Sequence, residues 1–282
     1  MTDIAVIIIL YNPSKEDIEN ARSIAALWDG VIVDNSPAPI DACSTIGKMK
    51  YICNHSNLGI AEAQNIGIRE LLSEKRFSYI VFLDQDSRLS TSYPYMIVEE
   101  FKKNKDSDKP LAILGPTVIN LITGKEYKSA IHHYVTDTCG FSQRQQIISS
   151  GSCISVEALR QVGFMDSHLF IDYVDYDWCW RANAKGYQCG ITTQLSIEHH
   201  VGSREITLGK YKVIISAPIR YYYQYRNYLW LVKRKYVPLK WKMAYGCKLT
   251  ARFIYFPLIV KGGSECWKHM RKGICDGLTC RA

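Results

Sequence analysis

Residues able to do chemistry gather at a few points of this 282-residue chain. Asp84 and Asp86 close the apolar run Tyr79-Ile80-Val81-Phe82-Leu83. On an extended segment, residues i and i+2 point the same way. Two carboxylates so spaced can aim at one cation, and that cation can hold phosphates. The plainer alternative is an Asx-type turn, which Asp, Gln and Ser favour in any case. A second acid group, Asp172, Asp175 and Asp177, leads into Trp178-Cys179-Trp180-Arg181. Acids suit a helix N-terminus electrostatically. A carboxylate on an exposed helix start beside a cleft equally suits a general base. His199 and His200 are adjacent, so their side chains diverge and at most one is expected in a site. Gly151 and Ser152 are small enough to let a ligand approach the backbone.

The elements around these residues have a pattern. An apolar run that ends abruptly in polar residues reads as a strand covered on both faces, and open α/β sheets bind ligands at the carboxyl ends of such strands. Residues 4–10 form one such run, ended by Tyr11-Asn12-Pro13-Ser14, where Ser14 caps a helix whose first turn carries Glu16 and Asp17. Residues 31–33 form another and end at Asp34; residues 49–53 make a third strand. A helix over 61–72 precedes the run that ends at Asp84. Strand and helix therefore alternate over the first ~86 residues, which predicts a parallel sheet with right-handed crossovers. Further on, the spacing predicts a helix over 93–104, strands over 111–114, 117–121, 147–153 and 187–193, and helices starting near Ser155 and Asp172. Residues 218–235, 241–260 and 264–278 read as helices.

Composition sets the limits. Apolar residues make up 47% of the chain, enough for a sizeable core. The net charge of +8 is unevenly spread: residues 1–202 carry 18 Lys+Arg against 24 Asp+Glu, and residues 203–282 carry 17 against 3. The basic segment also holds 14 of the 33 aromatic residues. We place a boundary near Gly202, between an acidic body at 1–202 and a helical region at 203–282. A basic, aromatic-rich end on an acidic body points to an anionic partner: membrane lipid, a lipid-linked phosphate or nucleic acid. Ten cysteines without a CxxC pair argue for buried thiols rather than zinc or disulfides. With no secretory leader and no apolar run near the ~20 residues of a bilayer span, the chain is expected in the cytoplasm, peripheral at the inner face of the plasma membrane. No dinucleotide glycine fingerprint and no P-loop follows the first strand.

Four segments in order carry a resemblance: Ile9-Leu10-Tyr11-Asn12, Val33-Asp34-Asn35-Ser36, Asn57-Leu58-Gly59-Ile60-Ala61-Glu62-Ala63-Gln64-Asn65-Ile66-Gly67-Ile68, and Leu83-Asp84-Gln85-Asp86-Ser87. Together they resemble the inverting glycosyltransferases of family two, with the GT-A fold. Phe170 to Asp175, the Arg226-Asn227 pair and Gly273 to Leu278 are similar to the bacterial rhamnosyltransferases of O-antigen and related polysaccharide assembly. The resemblance implies a Rossmann-like α/β mixed sheet flanked by helices, which makes 1–202 a catalytic domain (a nucleotide-binding half at 1–110 and an acceptor-binding half at 111–202), plus the helical extension at 203–282. It implies transfer of L-rhamnose from dTDP-L-rhamnose to a lipid-linked glycan acceptor.

The same resemblance implies residue roles. Leu10, Tyr11, Asn12, Asp34, Asn57, Gly59, Asn65, Asp84 and Gln85 would serve the nucleotide sugar. Asp86 and His199 would hold Mg2+ or Mn2+. Asp175 would be the catalytic base, and Gly151, Ser152, Asp172 and Trp178 would meet the acceptor. Val174 stands where many relatives have Glu, so Asp172 and Asp177 remain alternatives as base. Gln64 stands where many have Arg, which removes a cation that could meet phosphate.

Other readings are kept. A UDP-hexose, UDP-N-acetylhexosamine or UDP-galactofuranose donor would use the same chemistry. A nucleotidylyltransferase would want a basic glycine-rich loop after the first strand, and Tyr11-Asn12-Pro13 is not one. A nucleic-acid-binding module is disfavoured because no recognised nucleic-acid motif is present and the acidic body would repel a polyanion.

Overall fold

In a computed structural model of the chain, residues 3–40, 44–104, 109–120, 135–199, 204–208 and 211–279 are described. They divide into two compact units. The first runs to His199 but leaves out Ile171–Tyr173; the second takes those three residues and the described residues from Arg204 onward.

The first unit is a nine-stranded mixed sheet with helices against it. In chain order its elements are β1 (Ile4–Leu10), α1 (Lys15–Ala25), β2 (Gly30–Asp34), β3 (Thr45–Ile46), β4 (Met49–Cys53), α2 (Gly59–Glu74), β5 (Tyr79–Asp84), α3 (Tyr93–Lys103), β6 (Leu111–Asn120), β7 (Phe141–Arg144), β8 (Cys153–Ser155), α4 (Val156–Val162), a 3-10 turn (Ser167–Leu169), α5 (Val174–Ala184) and β9 (Gln188–His199). The strand order is β3-β4-β2-β1-β5-β8-β6-β9-β7. β4, β2, β1 and β5 are parallel, and β8 joins antiparallel to both β5 and β6. All seven residues of β1 are buried, as a strand covered on both faces requires.

Helix α1 starts where its sequence says it should. Ser14 accepts from the Asp17 amide at 3.2 Å, and the Asp17 carboxylate accepts from the Ser14 amide at 2.9 Å. That is a reciprocal capping box. Two expectations needed correction. The strand expected over 147–153 is only β8, because the chain before Cys153 turns: the Ser152 amide donates back to the Ser149 carbonyl at 2.9 Å, and the last bond to β5 is from the Gly151 amide to the Phe82 carbonyl at 2.8 Å. The two strands expected over 111–121 are one, β6, whose register against β9 slips between Pro116 and Thr117. A proline cannot donate to a ladder, so a bulge there is its natural accommodation.

The second unit contains the antiparallel pair β10 (Arg204–Leu208) and β11 (Tyr211–Ile215), then α6 (Pro218–Leu231), α7 (Leu239–Ile259) and α8 (Gly263–Thr279). The hairpin was not expected from sequence; the three helices were. Tyr221, Tyr225, Leu249, Phe256 and Met270 form the core of this unit. Helices α6 and α8 approach through Gly273 and Gly277. A Cβ at Gly273 would lie 2.3 Å from the Tyr222 carbonyl oxygen, and one at Gly277 would lie 2.9 Å from the Leu229 side chain. No helix among the described residues is long and apolar enough to cross a membrane.

Candidate active site

Strand order places a rim of polar residues at a topological switch point. From β1 the chain builds outward through β2 and β4, then returns to lay β5 on the other side of β1. Ligand crevices open where the order reverses. The registers bring three strand ends level: Leu10 lies opposite Asp34, and Ile9 opposite Asp84.

Beyond the strands, hydrogen bonds fix the loops of this rim. The Tyr11 amide donates to Gln85 Oε1 at 2.7 Å, joining the β1 and β5 ends across the switch point. The Asn12 amide donates to Ser36 Oγ at 2.7 Å, and Asn12 takes a positive φ of 46° to make that turn. The Asn35 amide donates to the Leu10 carbonyl at 2.8 Å. Asn54 Nδ2 donates to Asn35 Oδ1 at 2.7 Å, and Asn35 Nδ2 donates to the Gly59 carbonyl at 3.1 Å.

Asp34 is fully buried. One oxygen accepts from the Ser36 amide at 2.9 Å and the other from the Tyr51 hydroxyl at 2.7 Å. The Ile40 amide in turn donates to that hydroxyl at 2.9 Å. Burial first, then the bond to Asp34, push the Tyr51 pKa up, so the hydroxyl remains a donor. A buried carboxylate with these partners can sit in the interior without an ionic partner. Tyr51 was not anticipated as part of the site. Its only sequence signal is a polar ring in the strand expected next to the one ending at Asp34.

The start of α2 joins the same rim. Gly59 has φ of +83°, and a Cβ there would lie 2.6 Å from the Phe170 ring, so glycine is needed on both counts. Asn57 Oδ1 accepts from the Gly59 amide at 3.0 Å. Asn65, nearly two turns further, is buried and exchanges bonds with the Met165 backbone, 2.9 Å in each direction, while also donating to Ser167 Oγ. It braces the segment before Phe170 and presents nothing to a nucleotide. Glu62 accepts from Ser167 and Arg69. Burial raises its pKa, but those partners outweigh burial and hold it below the ordinary value.

The Asp84–Ser87 turn is closed by the Ser87 amide donating to the Asp84 carbonyl at 3.0 Å and by Ser87 Oγ accepting from the Asp84 amide at 3.2 Å. Arg88 donates to Asp17 at 2.7 Å, which pins the turn to α1. The side chain of Asp86 is exposed and that of Asp84 half-buried. Hard carboxylate oxygens of this kind fit Mg2+ or Mn2+. Among the described residues no three His, Cys, Asp or Glu side chains cluster to hold a metal by themselves. His199 ends β9, and its side chain lies outside the described residues, as does the whole of His200.

The three acids around the start of α5 separate cleanly. Asp177 is fully buried and accepts from Arg181 Nε at 2.8 Å; Arg181 also donates to the Val162 and Phe164 carbonyls. Asp172, in the second unit, accepts from Arg220 Nη2 at 2.5 Å and Nε at 3.2 Å. Asp175, in the first turn of α5, keeps part of its surface in solvent.

Other expected acceptor contacts do not face a ligand. Trp178 is fully buried and donates to the Gly163 carbonyl at 2.8 Å. Ser152 is fully buried and donates to the Ser149 carbonyl at 2.6 Å. Gly151 has φ of +72°, its carbonyl accepts from the Tyr93 hydroxyl at 2.7 Å, and a Cβ would meet Pro116 at 3.1 Å. Glycine serves a packed turn there and leaves no opening.

Comparison with known proteins adds independent findings. The sequence profile of glycosyl transferase family 2 matches residues 5–149. The chain is 32% identical over 272 residues to dTDP-rhamnosyl transferase RfbF of Shigella flexneri, covering 92% of this chain and 86% of that protein. Among solved structures, TarS 1-349 of S. aureus in complex with UDP-GlcNAc superposes with a TM-score of 0.56 at 12% identity, covering 98% of this chain and 81% of that one. GalNAc-T7 with UDP, GalNAc and Mn2+ gives a TM-score of 0.56 at 14% identity, covering 96% of this chain and 54% of that one. These likenesses establish the GT-A fold.

Proposed function

This chain belongs to glycosyl transferase family 2 and is a glycosyltransferase; on that premise we propose that it moves L-rhamnose from dTDP-L-rhamnose to a hydroxyl of a growing, lipid-linked glycan. The observation that carries the donor assignment is the 32% identity, spread over 92% of the chain, to a dTDP-rhamnosyl transferase. The rim of Leu10, Tyr11, Asn12, Asp34, Asp84 and Gln85 is the proposed nucleotide site, since it lies at the carboxyl ends of parallel strands around a switch point.

Asp175 is the proposed base. It stands in the first turn of α5 with part of its surface in solvent, and its Oδ1 accepts from the Tyr176 amide at 2.9 Å; Asp177 is buried on Arg181, and Asp172 pairs with Arg220. Asp175 would take the proton of the acceptor hydroxyl as that oxygen attacks the anomeric carbon. The bond from that carbon to the phosphate oxygen breaks with the electron pair leaving on the nucleoside diphosphate, and one displacement inverts the configuration. Asp86 and His199 would hold Mg2+ or Mn2+, with Asp84 near the ribose and the metal; the ion when bound supplies positive charge against the diphosphate.

The test presents purified protein and Mn2+ with a panel of nucleotide sugars. Protection against thermal unfolding and slow donor hydrolysis are expected with dTDP-L-rhamnose before any UDP-sugar. Preference for a UDP-hexose or UDP-N-acetylhexosamine would overturn the donor assignment and leave the family standing.

A further inference from the structure

Helix α7 is apolar on two opposite sides. Trp241, Leu249 and Phe256 are buried against the second unit's core. Leu239, Met243, Cys247, Ile254 and Leu258 fall two residues before or after these positions, and all are exposed. Two residues on an α-helix turn by ~200°, so the exposed stripe faces away from the buried one. Its members are not marginally exposed: Leu239 is 71%, Met243 63%, Ile254 62% and Leu258 79% accessible. A stripe of this length is more than scattered surface apolarity, and such patches mark interaction sites.

Charge indicates what covers it. Helix α7 carries no acid; its Lys240 and Lys248 are exposed and Lys242 is half-buried, whereas Arg252 turns to the buried side over the Tyr221 and Phe256 rings. On α8 the side chains of Arg271 and Lys272 are exposed as well, while Lys268 pairs with Glu265 at 3.4 Å. A second copy of the same face would bring these cations together at close range. An anionic lipid surface would neutralise them while taking up the apolar stripe, as interfacial helices do. At 21 residues α7 is long, but none of the described helices is apolar enough to span a bilayer, so the helix would lie in the interface plane.

We propose that the exposed stripe of α7 is a docking surface for an anionic membrane, seating the enzyme at the lipid–water interface through Leu239, Met243, Ile254 and Leu258. This assignment stands apart from the donor sugar and is tested without substrate. Full-length protein is mixed with phosphatidylcholine vesicles, with and without phosphatidylglycerol, at low and high salt, and co-sedimentation is measured. Binding is expected with phosphatidylglycerol at low salt, weakening at high salt. Ile254→Ser combined with Leu258→Ser should lower the partition coefficient roughly tenfold, with the melting temperature unchanged because both residues are exposed. No binding to anionic vesicles at low salt would overturn the proposal, as would equal partition of the double variant. Self-association of the wild type in sedimentation velocity, lost in the double variant, would assign the stripe to a second copy and overturn it too.

Discussion

Asp34 shows how far a residue's role can depend on one neighbour. Buried completely, its carboxylate is held by the Ser36 amide and the Tyr51 hydroxyl, and Ser36 in turn orients Asn12. Tyr51→Phe removes one hydrogen bond to a charged group, an effect of about 1.5–3 kcal/mol when it falls on stability. We expect a lower unfolding midpoint and a donor KM raised several-fold, with kcat little changed, measured by urea titration and steady-state kinetics. Asp175→Asn should do the reverse: donor binding near wild type by calorimetry and transfer lost. Unchanged turnover in that variant would remove Asp175 from the role of base. Asp86→Ala is expected to abolish the difference in donor affinity between calorimetry with Mn2+ and calorimetry without it. At this scale the sequence was informative where spacing speaks directly: Asp34, Asp84 and Asp86 were all singled out from strand endings. Tyr51 and the burial of Trp178 were not, because both depend on which strand or helix lies alongside.

Among the elements, the turn from Phe170 to Tyr173 is the most strained. Phe170, Asp172 and Tyr173 have φ of 63°, 67° and 66°, a region that costs non-glycine residues energy. Within the second unit the strained residues are held in place by α6. Arg220 grips the Asp172 carboxylate, and Asn227 Nδ2 donates to the Ile171 and Asp172 carbonyls at 2.8 and 3.1 Å. Tyr173 meets Trp241 edge-on, with ring centroids 5.2 Å apart. Arg220→Ala should therefore cost about 1–3 kcal/mol, read in denaturant unfolding, since the carboxylate it leaves is only 9% exposed.

The pairing of α1 with the Asp84–Ser87 turn has a pH signature. Burial raises the Asp17 pKa, but hydrogen bonds from Arg88 and Ser14 outweigh it and hold the group below its ordinary 3.8. A depressed acid contributes stability above its unfolded value and loses it as pH falls through the folded one. Arg88→Ala should accordingly narrow the stability gap to wild type below about pH 4, in thermal scans across pH. Element types were legible because apolar runs, caps and glycines are local signals. The β10–β11 hairpin and the shortening of the expected 147–153 strand were not, since pairing partners and turns far apart in sequence decide them.

For the molecule as a whole, the parallel half of the sheet followed from the alternation of strand and helix, whereas the antiparallel entry of β8 between β5 and β6 had no local cue. Cysteine chemistry follows from burial. All eight described cysteines are free thiols, with Cys153, Cys179 and Cys189 buried and Cys139, Cys247 and Cys275 exposed. Burial pushes the Cys153 thiol up; a hydrogen bond with Cys179, and then burial, do the same for Cys189. Alkylation of the native protein, mapped by mass spectrometry, should mark the exposed three and spare the buried three until denaturant is added. Labelling of Cys153 in the native state would contradict the packing.

The two glycines between α6 and α8 constrain sequence drift differently. At Gly273 the obstacle to a side chain is the Tyr222 carbonyl, part of a main chain common to every residue that could replace Tyr222. No exchange on α6 can make room for it. At Gly277 the nearest obstacle is Leu229 Cδ1 at 2.9 Å, which an exchange can remove, while Leu229 Cβ at 3.0 Å and the Arg226 Cα at 3.2 Å stay behind it. Leu229→Ala should therefore recover part of the stability lost in Gly277→Ala, while no partner substitution rescues Gly273→Ala. One position is open to compensation and the other is closed, though both carry the same amino acid.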